Sequence, residues 1–179
     1  MDLKNFRFEV DAEGVALATW DMPGRSMNVI SLDVVRELGE IVEKIAGDPA
    51  IKGVVFTSGK DAFAAGADLT MMERSAREYR RSAKADGEQA AMGAFVNQIG
   101  QLSRTYRRLE TCGKPAAAAI NGVCMGGGFE LALACHYRIV ADGEAVRVGL
   151  PEIKVGLFPG GGGTQRVARL MPTGDALQM

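Results

Sequence analysis

Between Lys114 and Glu130 the chain reads KPAAAAINGVCMGGGFE, and two residue types in it could do chemistry. Gly126, Gly127 and Gly128 carry no Cβ, so their main-chain N–H groups can come close to a ligand. Glu130 follows at once and stands inside the apolar run from Phe129 to Ala134. A carboxylate in apolar company costs free energy to bury unless it is paired or neutralised. Backbone donors beside a lone acid would make a catalytic floor for a substrate that develops negative charge. The same pattern also fits a helix packed tightly on a sheet, with the glutamate as a structural hydrogen-bonding hub. Taken alone, this stretch leaves both readings open.

The elements that must position these residues can be read from local pattern. Phe6 to Val10 and Val15 to Trp20 alternate around Asp11-Ala12-Glu13-Gly14 as a hairpin, ended by Asp21-Met22-Pro23-Gly24. Ser31 is placed to cap a helix with the apolar face Leu32, Val35, Leu38, Ile41, Val42 and Ile45, closed by Gly47 and Pro49. Gly53 to Thr57 is a short buried strand, so the order predicts a parallel βαβ unit. A second small-residue stretch, Phe63 to Leu69, marks another strand-to-helix transition. From about Ser75 to Glu110 the chain reads as a charged helix with the stripe Phe95, Ile99, Leu102, Tyr106 and Leu109, weakened or broken at Gly87, Gly93 and Gly100. Pro115 and Ala116 to Ile120 suit a buried strand, and Asn121-Gly122 a turn. Tyr137 to Val140 and Ala145 to Gly149 are expected strands, and Gly160 to Gly163 open a helix at Thr164.

Composition narrows the function classes. With 179 residues, 47% of them hydrophobic, the chain can build one domain with a real core. The 21 Lys and Arg against 22 Asp and Glu, a net charge of -1, argue against a nucleic-acid partner. The locally basic run RSAREYRRSAK (74–84) reads as a solvated helix face, able at most to attract an anionic substrate. No apolar run approaches the ~20 residues of a membrane span, and the charged N-terminus does not look like a signal peptide. Cys112, Cys124 and Cys135 are odd in number and lack CxxC spacing, which predicts a reducing, cytoplasmic compartment. The single histidine, His136, argues against histidine-based metal sites and reads as a satisfied core or edge residue. Neither glycine loop fits GxxxxGK[ST] or GxGxxG, so a nucleotide cradle is not expected.

Three ordered motifs, FAAGADL (63–69), KPAAAAINGVCMGGGFELALAC (114–135) and GLPEIKVGLFPGGGGTQR (149–166), together resemble the enoyl-CoA hydratase/isomerase, or crotonase, family. WDMPGRSMNVI (20–30), the lead-in ETCGKP and GLPEIKVG look more narrowly like the amino-terminal hydratase domain of multifunctional fatty-acid β-oxidation proteins. The resemblance implies an α/β fold, a crotonase (ClpP-like) spiral of repeated ββα units. It implies hydration of 2-enoyl-CoA thioesters, with CoA as part of the substrate and no separate cofactor or metal. It assigns Glu130 and Glu152 as the acid/base pair, and the N–H groups of Ala65 and Gly127 as an oxyanion hole. A side chain at Gly127 is expected to crowd the thioester. The resemblance places Gly66 and Asp68 in the turn that contacts CoA. Arg25 is a candidate for a CoA phosphate or a solvated turn residue, and the loop from Gly160 is expected to support the floor under Glu152. The alternatives are an enoyl-CoA isomerase and an acyl-CoA binder that has lost turnover; a crotonase-fold protease is disfavoured because Phe129, not serine, follows the glycine triplet. Relatives of this kind continue into further helices, which cover the acyl end and mediate subunit contacts, and then into a dehydrogenase; neither has a counterpart here. Residues 1–179 therefore read as a single crotonase-like core domain, expected to be a fragment of a longer chain with reduced hydratase activity and a tendency to form homo-oligomers.

Overall fold

The computed structural model describes residues 1–179. Strands β1 (Phe6–Val10) and β2 (Val15–Trp20) pair antiparallel, with Phe6 opposite Trp20 and Val10 opposite Ala16. Asp11 builds the turn between them, its Oδ1 accepting from the N–H groups of Glu13 and Val15. Helix α1 (Leu32–Gly47) follows, capped by the Ser31 hydroxyl, and buries Val34, Val35, Leu38, Ile41, Val42 and Ile45. Strand β3 (Gly53–Ser58) then pairs parallel with β2, as a crossover through a helix allows.

Helix α2 (Leu69–Asp86) begins earlier than the charge pattern predicts, because Asp68 caps it by accepting from the N–H groups of Thr70 and Met71. Helix α3 (Glu88–Glu110) is separated from it by Gly87 alone, at φ +91. Gly93 and Gly100 lie within α3 and do not break it. Strand β4 (Ala116–Ile120) pairs parallel with β3, and β6 (Tyr137–Val140) parallel with β4, giving a sheet of order β1-β2-β3-β4-β6. Small alanines at 116–119 let the buried helix α4 (Gly127–Ala134) lie close to this sheet; every residue of α4 is buried.

A second layer is made of very short pieces. Strand β5 (Cys124–Met125) pairs parallel with β7 (Val148–Gly149), and single parallel bridges join Ala64 to Cys124 and Ile30 to Ala67. Each turn of the chain thus runs from a strand of the main sheet, through a short piece of the second, into a helix. The turns are β2, Ile30, α1; then β3, residues 64–67, α2 and α3; then β4, β5, α4; then β6, β7 and a 3-10 turn (Pro151–Val155) leading to α5 (Gly163–Leu170). This is the expected spiral of repeated ββα units. The region expected as a strand from Ala145 has only its last two residues in β7. A short helix α6 (Thr173–Ala176) closes the described chain, and the Met179 carbonyl accepts from the Leu150 N–H. His136 is satisfied, its Nδ1 accepting from the Ala116 N–H at 3.0 Å.

Candidate active site

Two strand-to-helix turns stand side by side. The Ala64 N–H donates to Val123 O (3.1 Å) and the Met125 N–H to Ala64 O (2.9 Å), which fixes the turn before α2 against the turn before α4. Contact is close at the glycines: a Cβ on Gly126 would fall 3.3 Å from Gly66 Cα, and one on Gly128 only 2.4 Å from Ala64 Cβ. Gly66 (φ +96) and Gly126 (φ +53) also need backbone angles that side chains disfavour.

Which N–H groups these turns leave free follows from the bonding. The Ala65 N–H, expected in the oxyanion hole, is already donated to Asn28 O at 2.9 Å. Its neighbours are also used, since Ile30 N–H donates to Gly66 O (2.8 Å) and Asp68 N–H to Ile30 O (3.0 Å). In that parallel bridge the Ala67 N–H points away from Ile30 and makes no hydrogen bond. On this turn the free donor is thus the Ala67 N–H and not the Ala65 N–H. At Gly127 the expectation of a free donor fits: it is the first residue of α4, and Gly126 offers no side-chain cap. A Cβ on Gly127 would also meet Ile30 Cγ1 at 2.9 Å, so a side chain there crowds the core.

Glu130 sits in the first turn of α4, 2% exposed. Its Oε1 accepts from the N–H groups of Gly161 (2.7 Å) and Gly163 (2.8 Å). The second glycine loop thus holds Glu130, where support of Glu152 was expected. Glycine is required for this approach: a Cβ on Gly161 would lie 2.7 Å from Glu130 Oε2, and one on Gly163 3.0 Å from Glu130 Oε1. Burial pushes the Glu130 carboxyl up from its ordinary range; the two N–H donors and Arg166 pull it down, and Glu152 pushes it up.

Glu152 is carried by the 3-10 turn, with Pro151 setting its first residue. Its Oε1 lies 3.2 Å from where a Cβ on Gly126 would stand, so it faces the start of α4. Its Oε2 is buried and has no hydrogen-bond partner. Burial raises this carboxyl too. The two acids therefore share one site in opposite conditions, Glu130 served by two donors and Glu152 by none at its inner oxygen.

Around this centre the remaining predicted residues divide. Asp68 is buried, caps α2, and pairs through Oδ2 with Arg25 Nη2 at 2.8 Å; Arg25 itself is about half-exposed. Both shape the turn that carries Gly66. Asn28 was not singled out from the sequence, yet it is fully buried and ties the loop after β2 together. Its Oδ1 accepts from Met22 N–H, and its Nδ2 donates to Trp20 O, Ser58 Oγ and Phe63 O. An asparagine between a turn and the apolar pair Val29-Ile30 was its only signal. No group of three or more His, Cys, Asp or Glu side chains is placed to hold a metal ion, and no helix is long and apolar enough to cross a membrane.

A spiral of ββα turns with backbone donors at two adjacent helix starts and two carboxyls facing them defines the crotonase class of folds. The chain belongs to the enoyl-CoA hydratase/isomerase family, whose model matches residues 11–179. Among curated relatives, it is 42% identical over 177 residues to the fatty acid oxidation complex subunit alpha of Shewanella frigidimarina. It is 41% identical to the subunit of the same name from Idiomarina loihiensis. Each match covers 98% of this chain, and the chain spans 23% of the length of these relatives. Among solved structures, enoyl-CoA hydratase from Bacillus anthracis is 31% identical with a TM-score of 0.77, covering 97% of this chain and 61% of that one. Pseudomonas aeruginosa DspI is 32% identical with a TM-score of 0.77, covering 100% of this chain and 66% of that one.

Proposed function

We propose that the chain is an enoyl-CoA hydratase, adding water across the double bond of a 2-enoyl-CoA thioester in fatty-acid oxidation. The observation that carries this reading is the unequal treatment of two carboxyls at one site. Water addition at Cβ needs a base, and the enolate that results needs a proton at Cα. Glu130, whose Oε1 takes two N–H donors, is suited to be the ionised base. Glu152, with an orphaned buried oxygen, is suited to be the protonated acid. The negative charge that builds on the thioester oxygen falls to the N–H groups of Ala67 and Gly127, and one such donor is typically worth ~3 kcal/mol in the transition state.

Hydration is redox-neutral, so the reaction calls for no cofactor beyond the CoA carried by the substrate. The place in fatty-acid oxidation is supported by the names of the curated relatives. Loss of enoyl-thioester absorbance with crotonyl-CoA tests the assignment. Wild type is expected to turn over and Glu130→Gln to be nearly inert; a protein that moves the double bond of a 3-enoyl-CoA but hydrates nothing would show an isomerase instead.

A further inference from the structure

One turn of α3 reaches both halves of the site, through Tyr106 directly and through Glu110 by way of Arg166. Tyr106 is fully buried, and its hydroxyl donates to Gly127 O at 2.7 Å. Its ring lies against the second glycine loop, since a Cβ on Gly161 would fall 2.9 Å from Tyr106 Cε2. One helical turn on, Glu110 accepts from Arg166 at Nε (3.3 Å) and Nη2 (3.2 Å). Arg166, 8% exposed, turns its Nη1 to Gly161 O at 2.8 Å. The N–H of the same Gly161 holds Glu130.

Resting on the hydratase reading, we propose that this turn of α3 is a splint: Tyr106 is a positioning residue for the Gly127 donor, and Arg166, braced by Glu110, is one for the base Glu130. The physical need is plain. The start of α4 has no side-chain cap, and Gly126 is in a backbone region that only glycine occupies with ease. Left to itself, that peptide would have several nearby orientations. A hydrogen bond to the Gly127 carbonyl fixes the first turn of α4 and with it the direction of the Gly127 N–H. Donor sites must be held to within about 0.5 Å to act fully on a transition state. The Arg166–Gly161 bond does the same for the loop whose N–H groups hold Glu130 Oε1. Spacing of four residues puts Tyr106 and Glu110 on one helix face, so a single rigid element sets oxyanion hole and base relative to each other.

The test uses the full chain with Tyr106→Phe, which removes one oxygen and keeps the ring, and Arg166→Lys, which keeps the charge but loses the fork. Arg108→Ala is the control, because Arg108 pairs with Glu43 on the outer face of α3 and α1. Three readouts are taken: kcat and KM for crotonyl-CoA, the red shift of a bound arylacryloyl-CoA chromophore as a measure of carbonyl polarisation, and Tm. Tyr106→Phe is expected to lower kcat about tenfold with KM little changed, and to diminish the red shift. Arg166→Lys is expected to keep the red shift and move the acid limb of kcat/KM to higher pH. The groups facing Glu130 are Glu152, Tyr106 and Arg166, and only the hold on the Gly161 N–H is weakened. Arg108→Ala should behave as wild type. If Tyr106→Phe lowers Tm but leaves kcat and red shift intact, the tyrosine is merely structural and the splint is overturned. If Arg166→Lys leaves the acid limb in place, its half of the splint is overturned. A wild-type chain that does not hydrate at all overturns the underlying function, and the splint with it.

Discussion

Glu130 is costly where it stands, and the cost has a sign that can be measured. Burial raises its carboxyl and that of Glu152, so the folded state binds their protons more tightly than the unfolded chain does. Below the ordinary carboxylate range both states are protonated, and nothing is lost. As pH rises through the raised folded values, ionisation inside the fold destabilises it. Glu130→Gln and Glu152→Gln should therefore melt at higher temperature than wild type at neutral pH, with the difference vanishing as pH falls below about 4. Each should also lose about a hundredfold or more in hydration while still binding acyl-CoA. Thermal melts across pH, alongside turnover, check both halves; a variant less stable than wild type at pH 7 would contradict the linkage. A glycine prediction belongs at the same scale. Gly128→Ala puts a Cβ 2.4 Å from Ala64 Cβ, where two backbones leave no room to yield, and should cost about 1–3 kcal/mol in urea unfolding. Gly127→Ala meets side chains alone, Ile30 at 2.9 Å and Leu102 at 3.8 Å, and should cost less.

Among the elements, α1 and α2 are opposites. α1 buries seven residues, whereas α2 buries none and leans on α3 through contacts such as Tyr79 on Phe95 at 5.4 Å. Exposed i,i+4 pairs such as Arg77 with Glu73 add little to its stability. Amides of α2 should exchange with solvent well before those of α1, by local opening. Gly87 is the joint: nothing lies within 4 Å of its would-be Cβ, so Gly87→Ala is penalised only by φ +91, at about 1–3 kcal/mol. Because α2 supplies nothing to the core, that strain should be relieved by fraying of residues 69–86. Hydrogen exchange should show faster exchange there, with the global unfolding midpoint little moved. The contrast also explains what was legible. The β1–β2 hairpin and α1 carry strong local signals, turn chemistry in one and a capped apolar stripe in the other. Both elements lie where the pattern puts them, except that Leu32, expected on the apolar face, is exposed and Val34 is buried instead. The start of α2 does not, because Asp68 reads equally as a ligand-turn residue and as a cap. Gly93 and Gly100 read as breakers like Gly87, yet only Gly87 takes a positive φ. That depends on where α3 packs and not on its neighbours in sequence.

Over the whole molecule, long-range register decides what local pattern cannot. The second layer of the spiral consists of one- and two-residue pieces, too short for any periodicity, so the ββα repeat was legible only through motif resemblance. The donor at Ala67 instead of Ala65 is fixed by the bridge to Ile30, more than thirty residues earlier, and the partners of Glu130 lie beyond it at Gly161 and Gly163. What joins these distant parts is one apolar cluster that runs from Phe6 through α1 and the β4–α4 layer to Val167. A single shared core predicts a single cooperative transition. Trp20, the only tryptophan, is 1% exposed and stacked on Phe6 at 5.5 Å, so its fluorescence reports on that core. Ile41→Ala, at a fully buried position of α1 remote from both glutamates in sequence, should cost about 2–5 kcal/mol by opening a cavity. Urea curves followed by Trp20 emission and by far-ultraviolet circular dichroism should shift together by that amount, while kcat under conditions that keep the variant folded stays at the wild-type value. Separated transitions would mean that the β1–β2 end and the catalytic end unfold independently, and a fallen kcat would mean that α1 packing reaches the site.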